Sequence, residues 1–218
     1  QDYPRPPHFI DHVPHARHEQ IQPLDNGQNQ LAIAVAGDID QKSDIFLLTD
    51  LARALSDKSI NAVFHVVGGG RWMPRLETAA PLLTGSCSIQ CHGRVDRSRY
   101  VGILSECHAA LVLPGRLNHF PIPVETSDYA AAGLVLLLTH NGELADMVLR
   151  ADAGILTNSQ PEALAAAIAP LATNPQQIAR FRQASRKLAE TSLDREKLAA
   201  KAVVWLESLA ELAPVNPL

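Results

Sequence analysis

The sequence predicts a doubly wound α/β fold, a parallel sheet covered by helices on both faces, and three observations carry that expectation. Short β-rich apolar runs recur between helical patterns. These runs are apolar at successive positions, as strands buried on both faces are. Glycines, prolines and small polar residues follow the runs, where loops must turn into helices.

In chain order the strands are expected at 31–36, 62–67, 87–91, 110–113, 134–138 and 154–156. Helical patterns lie between them at about 44–56, 72–80, 98–107, 125–132 and 143–150. From Gln160 onward the pattern is wholly helical, with Pro161 at a helix start and Thr173-Asn174-Pro175 as a break. Further helices follow near 176–190 and 193–212. The last carries Leu198, Ala202, Trp205, Leu206 and Leu209, spaced for one buried stripe that packs on its own sheet or docks on a partner domain. The expected organisation is a linker or domain edge over 1–30, one Rossmann-like domain over 31–212 and a tail over 213–218.

Composition narrows the function classes. With 218 residues, 46% of them hydrophobic, the chain can bury a sizeable core. A net charge of −4 excludes a uniformly basic face, hence a general nucleic-acid or membrane-surface binder. No apolar stretch reaches the roughly 18 residues of a membrane span. The cysteines, Cys87, Cys91 and Cys107, lie in apolar segments and are odd in number, which fits reduced thiols in a cytosolic protein. The chain begins at Gln1, and its first thirty residues are rich in proline, histidine and polar residues, as expected of a piece of a longer protein. His12, His15 and His18 sit on that proline-interrupted segment, which does not hold them on one face as a metal site requires. Cys87 and Cys91 with His92 read as positions of a buried strand.

The richest segment is Val66-Val67-Gly68-Gly69-Gly70-Arg71-Trp72, an apolar strand that ends in glycines and runs into a helix. Such an end is expected to leave unpaired N–H groups where the positive end of a helix dipole emerges, a geometry that holds anions. In doubly wound sheets ligands sit beyond the carboxyl ends of the strands, where Gly37, Gly68, Gly69, Gly70, Gly93 and 139–142 all fall. Thr139, His140, Asn141 and Gly142 lead into a helix and either bind phosphate or cap that helix.

The order of these motifs resembles the C-terminal, nucleotide-sugar-binding domain of GT-B glycosyltransferases, especially the retaining group called glycosyl transferases group 1. The likeness runs from about His12 to Leu209. Val13-Pro14-His15-Ala16-Arg17-His18 is similar to the family's linker, and Val67-Gly68-Gly69-Gly70 to its valine-glycine-x-glycine strand end. His92-Gly93-Arg94-Val95 resembles the loop after the next strand, and Cys107 to Pro114 its strand ending in proline-serine. Asp128-Tyr129-Ala130-Ala131-Ala132-Gly133 resembles the glutamate-tyrosine-methionine-alanine-alanine-glycine signature, with Gly142 and Asp146 behind it.

The resemblance implies donor contacts by Gly37, Lys42, Gly68, Gly70, Arg94, Val95, Asp128, Asn141 and Gly142. Gly37 would let the backbone approach the phosphates, and Asp128 would hold the ribose as the second of the family's glutamates does. Asp38 stands where the family has an arginine, and Lys42 takes the lysine position with one residue deleted. Arg94 and Arg116 lie on crevice loops as substitute phosphate clamps, whereas Arg71, Arg75, Arg97 and Arg99 read as surface charges. Anchored on Phe120 and Pro123, Asn118 falls at the first glutamate of the family's pair. Glu125 is the other candidate catalytic carboxylate or else a solvated first-turn residue.

The implied substrate is a UDP- or GDP-linked sugar, with no separate cofactor and no metal. The implied partners are an N-terminal acceptor domain and a glycan or lipid-linked acceptor, not nucleic acid. The implied location is cytoplasmic, with peripheral membrane contact through the full-length protein. The alternative is a non-catalytic relative, a scaffold or docking domain of a polysaccharide-assembly protein.

Overall fold

The structure, a computed structural model, describes residues 30–113 and 122–212. Six parallel strands form one sheet in the order β3-β2-β1-β4-β5-β6. They are β1 (Gln30–Ala36), β2 (Asn61–Val67), β3 (Cys87–Gly93), β4 (Ala109–Leu111), β5 (Val135–Leu138) and β6 (Gly154–Leu156). The helices among the described residues are α1 (Lys42–Asp57), α2 (Met73–Ala79), α3 (Arg97–Glu106), α4 (Glu125–Ala131), α5 (Glu143–Ala151), α6 (Pro161–Thr173), α7 (Pro175–Ser192) and α8 (Arg195–Leu212). This is the expected doubly wound α/β fold. Strand order reverses between β1 and β4, so the crevice of the sheet opens beyond their carboxyl ends.

The sheet buries both faces because successive strand residues point opposite ways. In β1, Leu31, Ile33 and Val35 pack with Leu48, Leu51 and Leu55 of α1 and with Leu164, Ile168 and Leu171 of α6. Ala32, Ala34 and Ala36 face Leu104 of α3, Tyr129 of α4 and Leu188 of α7. Each fully buried Leu, Ile or Phe contributes about 1.5–3 kcal/mol relative to exposure. Proline opens α6 and α7 at a position where its missing N–H costs nothing. Asn174 ends α6 and caps α7, its side chain accepting from the Gln177 N–H at 3.0 Å, so the expected break is a tight joint.

The apolar stripe of α8 is only half buried. Leu198 and Ala202 are in the core, but Leu206 is exposed together with Val203 and Val204. Trp205 and Leu209, the other members of the stripe, are half-buried, so the stripe packs on this domain most fully over its first half.

His108 ties β1 to β4 at the end of the strands opposite the crevice. Its ring Nδ1 accepts from the Ala32 N–H at 3.0 Å, and its backbone N–H donates to the Ala32 carbonyl at 2.8 Å. Burial, reinforced by nearby Arg182, pushes its pKa from 6.5 down to about 4, so the imidazole is neutral with its proton on Nε2. An unfolded chain takes up this proton as pH falls through 6.5, whereas the folded chain resists until about 4. Stability from this group is thus full above pH 6.5 and declines as pH falls toward 4. Between pH 7.5 and 5.5 the loss is expected to be about 1 kcal/mol, read by urea unfolding, and this component should disappear in His108→Gln.

Candidate functional site

The crevice is built from the loops after β1, β2 and β3 and from the start of α4. Ala36, the last residue of β1, donates its N–H to the Tyr129 hydroxyl, and Tyr129 is fully buried. This bond fixes α4 against the strand end that leads into Gly37. Two arginines of α7 hold the far end of α4: Arg182 Nε donates to the Gly133 carbonyl at 3.1 Å and Arg186 to the Ala131 carbonyl. Asp128, one residue before Tyr129, is thereby placed at the crevice.

The glycine loops interlock. Gly37 N–H donates to the Val67 carbonyl, Ile39 N–H to the Gly69 carbonyl and Trp72 N–H to the Ile39 carbonyl. A Cβ on Gly68, whose φ is +148°, would lie 2.0 Å from the Gly37 oxygen, and one on Gly70, at φ +98°, 2.6 Å from the Ile39 backbone. Both positions require glycine so that two loop backbones can touch. The expectation of unpaired N–H groups along this segment is corrected. Gly68 donates to the Gly93 carbonyl and Gly69 to the Asp38 carboxylate, each at 2.9 Å.

Asp38 closes this network. Its Oδ2 lies 2.8 Å from Arg94 Nη2, and its Oδ1 receives both Arg94 Nη2 and the Gly69 N–H at 2.9 Å. Arg94, expected as a free phosphate clamp, is therefore paired in this structure, although its side chain remains 73% exposed. Val95 beside it is half-buried against the α3 side of the core.

Asp128 is the second anchor. Arg97, at the start of α3, holds it with Nη1 at 3.0 Å from Oδ2 and Nη2 at 3.3 Å from Oδ1. The reading of Arg97 as a surface charge is corrected. Asp96 caps α3 by accepting from the Arg99 N–H, so Arg97 and Tyr100 fall one turn apart on the same side. The Arg97 guanidinium lies over the Tyr100 ring, 5.5 Å from its centroid. Burial raises the Asp128 pKa above its ordinary value, opposed by the hydrogen bond and charge of Arg97 and by the Tyr100 hydroxyl. The Tyr100 hydroxyl is pushed up by burial and then by Asp128 and Glu125.

Glu125 opens α4 but is only 6% exposed, which corrects the solvated-residue alternative. Lys42, the first residue of α1, is exposed at the crevice edge, its ammonium 5.3 Å from the centroid of the Phe46 ring. Asn141 and Gly142 precede α5 two strands away from β1, and the first turn of α5 also carries Glu143 and Asp146. Asn118 and Arg116, with His12, His15 and His18, lie outside the described residues.

Arg97 and Tyr100 are the residues that the sequence reading missed. Their signal was available: a capping aspartate followed by Arg and Tyr at i+1 and i+4 marks one helix face beside the strand end. His65 and His92, on adjacent strands, stack with Nδ1 of the first 3.0 Å from Nε2 of the second. Burial lowers the pKa of both, reinforced for His65 by His92 and for His92 by Arg99, with Glu106 opposing the latter. Among the described residues no three His, Cys, Asp or Glu side chains gather as a metal site. Nor is any helix there long and apolar enough to cross a membrane.

A parallel sheet with this strand order, covered by helices on both faces and with glycine loops at its switch point, is a Rossmann-like domain of the GT-B type. The chain belongs to the glycosyl transferases group 1 family, which it matches over residues 16–188. No curated protein matches its sequence.

Solved structures share the fold. WaaG, a glycosyltransferase of lipopolysaccharide biosynthesis, superposes with a TM-score of 0.68 at 17% identity, over 90% of this chain and 54% of that one. Sucrose-phosphate synthase from Thermosynechococcus elongatus gives 0.67 at 18% identity, over 94% of this chain and 50% of that one. S. aureus TarM, in complex with UDP, gives 0.63 at 13% identity, over 90% of this chain and 38% of that one. The chain thus spans about half or less of the length of these proteins.

Proposed function

We propose that this chain is the donor-binding domain of a retaining glycosyltransferase of hexosyltransferase type. It takes a UDP- or GDP-linked sugar, with transfer to a glycan or lipid-linked acceptor in surface polysaccharide synthesis. The observation that carries this reading is Asp128, held by Arg97 at the edge of the crevice at the sheet's switch point. A carboxylate there accepts from ribose hydroxyls, which are good donors. Fold neighbours bind the same ligand class: Anabaena HepE and the pneumococcal O-GlcNAc transferase GtfA were solved with UDP.

Glycosyl transfer requires that the leaving diphosphate be neutralised as positive charge develops at the anomeric carbon. Lys42 and Arg94 supply cations at the crevice edge, and the first turn of α5 after Asn141 and Gly142 supplies N–H groups without intrahelical partners. Val95 packs beside the base, and Gly37, Gly68 and Gly70 shape the loops that receive the diphosphate. Glu125 and Asn118 remain the candidates for the donor-sugar contact. The acceptor and any catalytic base come from an N-terminal domain, so this chain binds donor but does not turn over alone. It works in the cytoplasm without a metal, with membrane contact through the full-length protein.

A second reading, a non-catalytic scaffold of a polysaccharide-assembly protein, is favoured by one observation, the self-neutralised Asp38–Arg94 pair on the glycine loop. Thermal unfolding with UDP, GDP, ADP and CMP, each with and without magnesium, separates the two. A ligand at a hundred times its Kd adds about 2.7 kcal/mol, so one nucleotide should raise Tm clearly. No shift with any of them would support the scaffold.

A further inference from the structure

The carboxylate of Asp38 has the contacts that a phosphate oxygen makes in a glycine-loop anion site: one backbone N–H, from Gly69, and one guanidinium, from Arg94. Three loops meet at this point, after β1, β2 and β3. The seat of the guanidinium is built into the loop. Gly69 has no positive φ, and a Cβ there would lie 2.6 Å from Arg94 Nε, so Arg94 lies directly against the bare backbone of Gly69.

We propose that Asp38 is an internal stand-in for the donor diphosphate, and that Arg94 exchanges Asp38 for the diphosphate when a nucleotide binds. This rests on the donor-domain reading and assigns Asp38 as the residue that sets donor affinity. Exchange is feasible because the Arg94 side chain is 73% exposed and Asp38 is only partly buried, and ion pairs open to water are weak. The diphosphate, with more charge than one carboxylate, outcompetes Asp38 for the guanidinium. Because the diphosphate must first displace Asp38 from the guanidinium, that exchange weakens its binding. The result is a donor site whose resting form is already neutral and whose affinity is held down.

The alternative is that the pair merely staples two loops, and the two accounts differ in what Asp38→Asn does. The variant keeps an oxygen to accept from the Gly69 N–H but removes the charge. The probe is inorganic pyrophosphate, which carries the diphosphate without base or sugar, titrated by calorimetry at about 0.15 M salt, where charges farther than about 8 Å are largely screened. Asp38→Asn is expected to bind it about tenfold more tightly than the wild type, equivalent to about 1.4 kcal/mol. Asp38→Ser should repeat the gain if the asparagine variant does not fold. Asp40→Asn, which removes an equal charge two residues away, should change affinity by less than about twofold. The gain should vanish in the double variant Asp38→Asn/Arg94→Gln. No gain in Asp38→Asn, or a gain that survives loss of Arg94, would overturn the proposal. If the wild type still binds a nucleoside diphosphate, the donor reading survives that result; if neither protein binds pyrophosphate or any nucleoside diphosphate, both fall together.

Discussion

Gly68→Ala is expected to destabilise the domain by about 4 kcal/mol or more, the range reached only when a core or a strained backbone is disrupted. The added methyl would sit 2.0 Å from the Gly37 carbonyl oxygen, less than any real contact permits, and the neighbour is backbone, which cannot rotate away. Relief requires the loop after β1 to separate from the loop after β2. That movement breaks the Gly37 to Val67 and Ile39 to Gly69 hydrogen bonds and the seat of Asp38 on the Gly69 N–H. The φ of +148° adds strain for an alanine. Urea unfolding monitored by circular dichroism measures the loss, and a variant within about 1 kcal/mol of the wild type would contradict this account of the loops.

Asp128→Ala is expected to weaken nucleotide binding about thirtyfold, or about 2 kcal/mol, the value of a hydrogen bond to a charged group. Asp128→Asn retains an acceptor oxygen and should lose less. Both variants also free Arg97, whose side chain is about half exposed and can turn to water, so the fold should persist. Calorimetric titration alongside thermal unfolding separates lost contact from lost structure. An unchanged affinity in a folded protein would remove Asp128 from the site.

The strands were legible because the inner ones are apolar on both faces, whereas the edge strand β3 alternates buried Cys87 and Ile89 with exposed Ser88 and Gln90; every predicted strand lies within two residues of the observed one. Alternation in β1 even divides its residues correctly between the leucine-rich face under α1 and α6 and the alanine face under α3, α4 and α7. The polar site was less legible. Asp38 and Arg94 are 56 residues apart, and Arg97 and Asp128 are 31 apart. Their pairing depends on the parallel register of β1, β2 and β3 and on the packing of α3 beside α4, which no local pattern encodes. The glycine cluster misled for a related reason: consecutive glycines at a strand end expose N–H groups locally, but the neighbouring loops supply the acceptors. Arg97 looked like a surface charge because half of its side chain is one, while its guanidinium turns inward to Asp128.

On the proposed reading, Asp128 holds the ribose of a nucleotide at the switch point of the sheet. Its most direct test compares the nucleoside diphosphate that binds best with its 2′,3′-dideoxy form, each titrated into the wild type and into Asp128→Ala. The account predicts that loss of the hydroxyls weakens binding to the wild type by about tenfold or more and leaves binding to Asp128→Ala nearly unchanged. Equal penalties in the two proteins would contradict it.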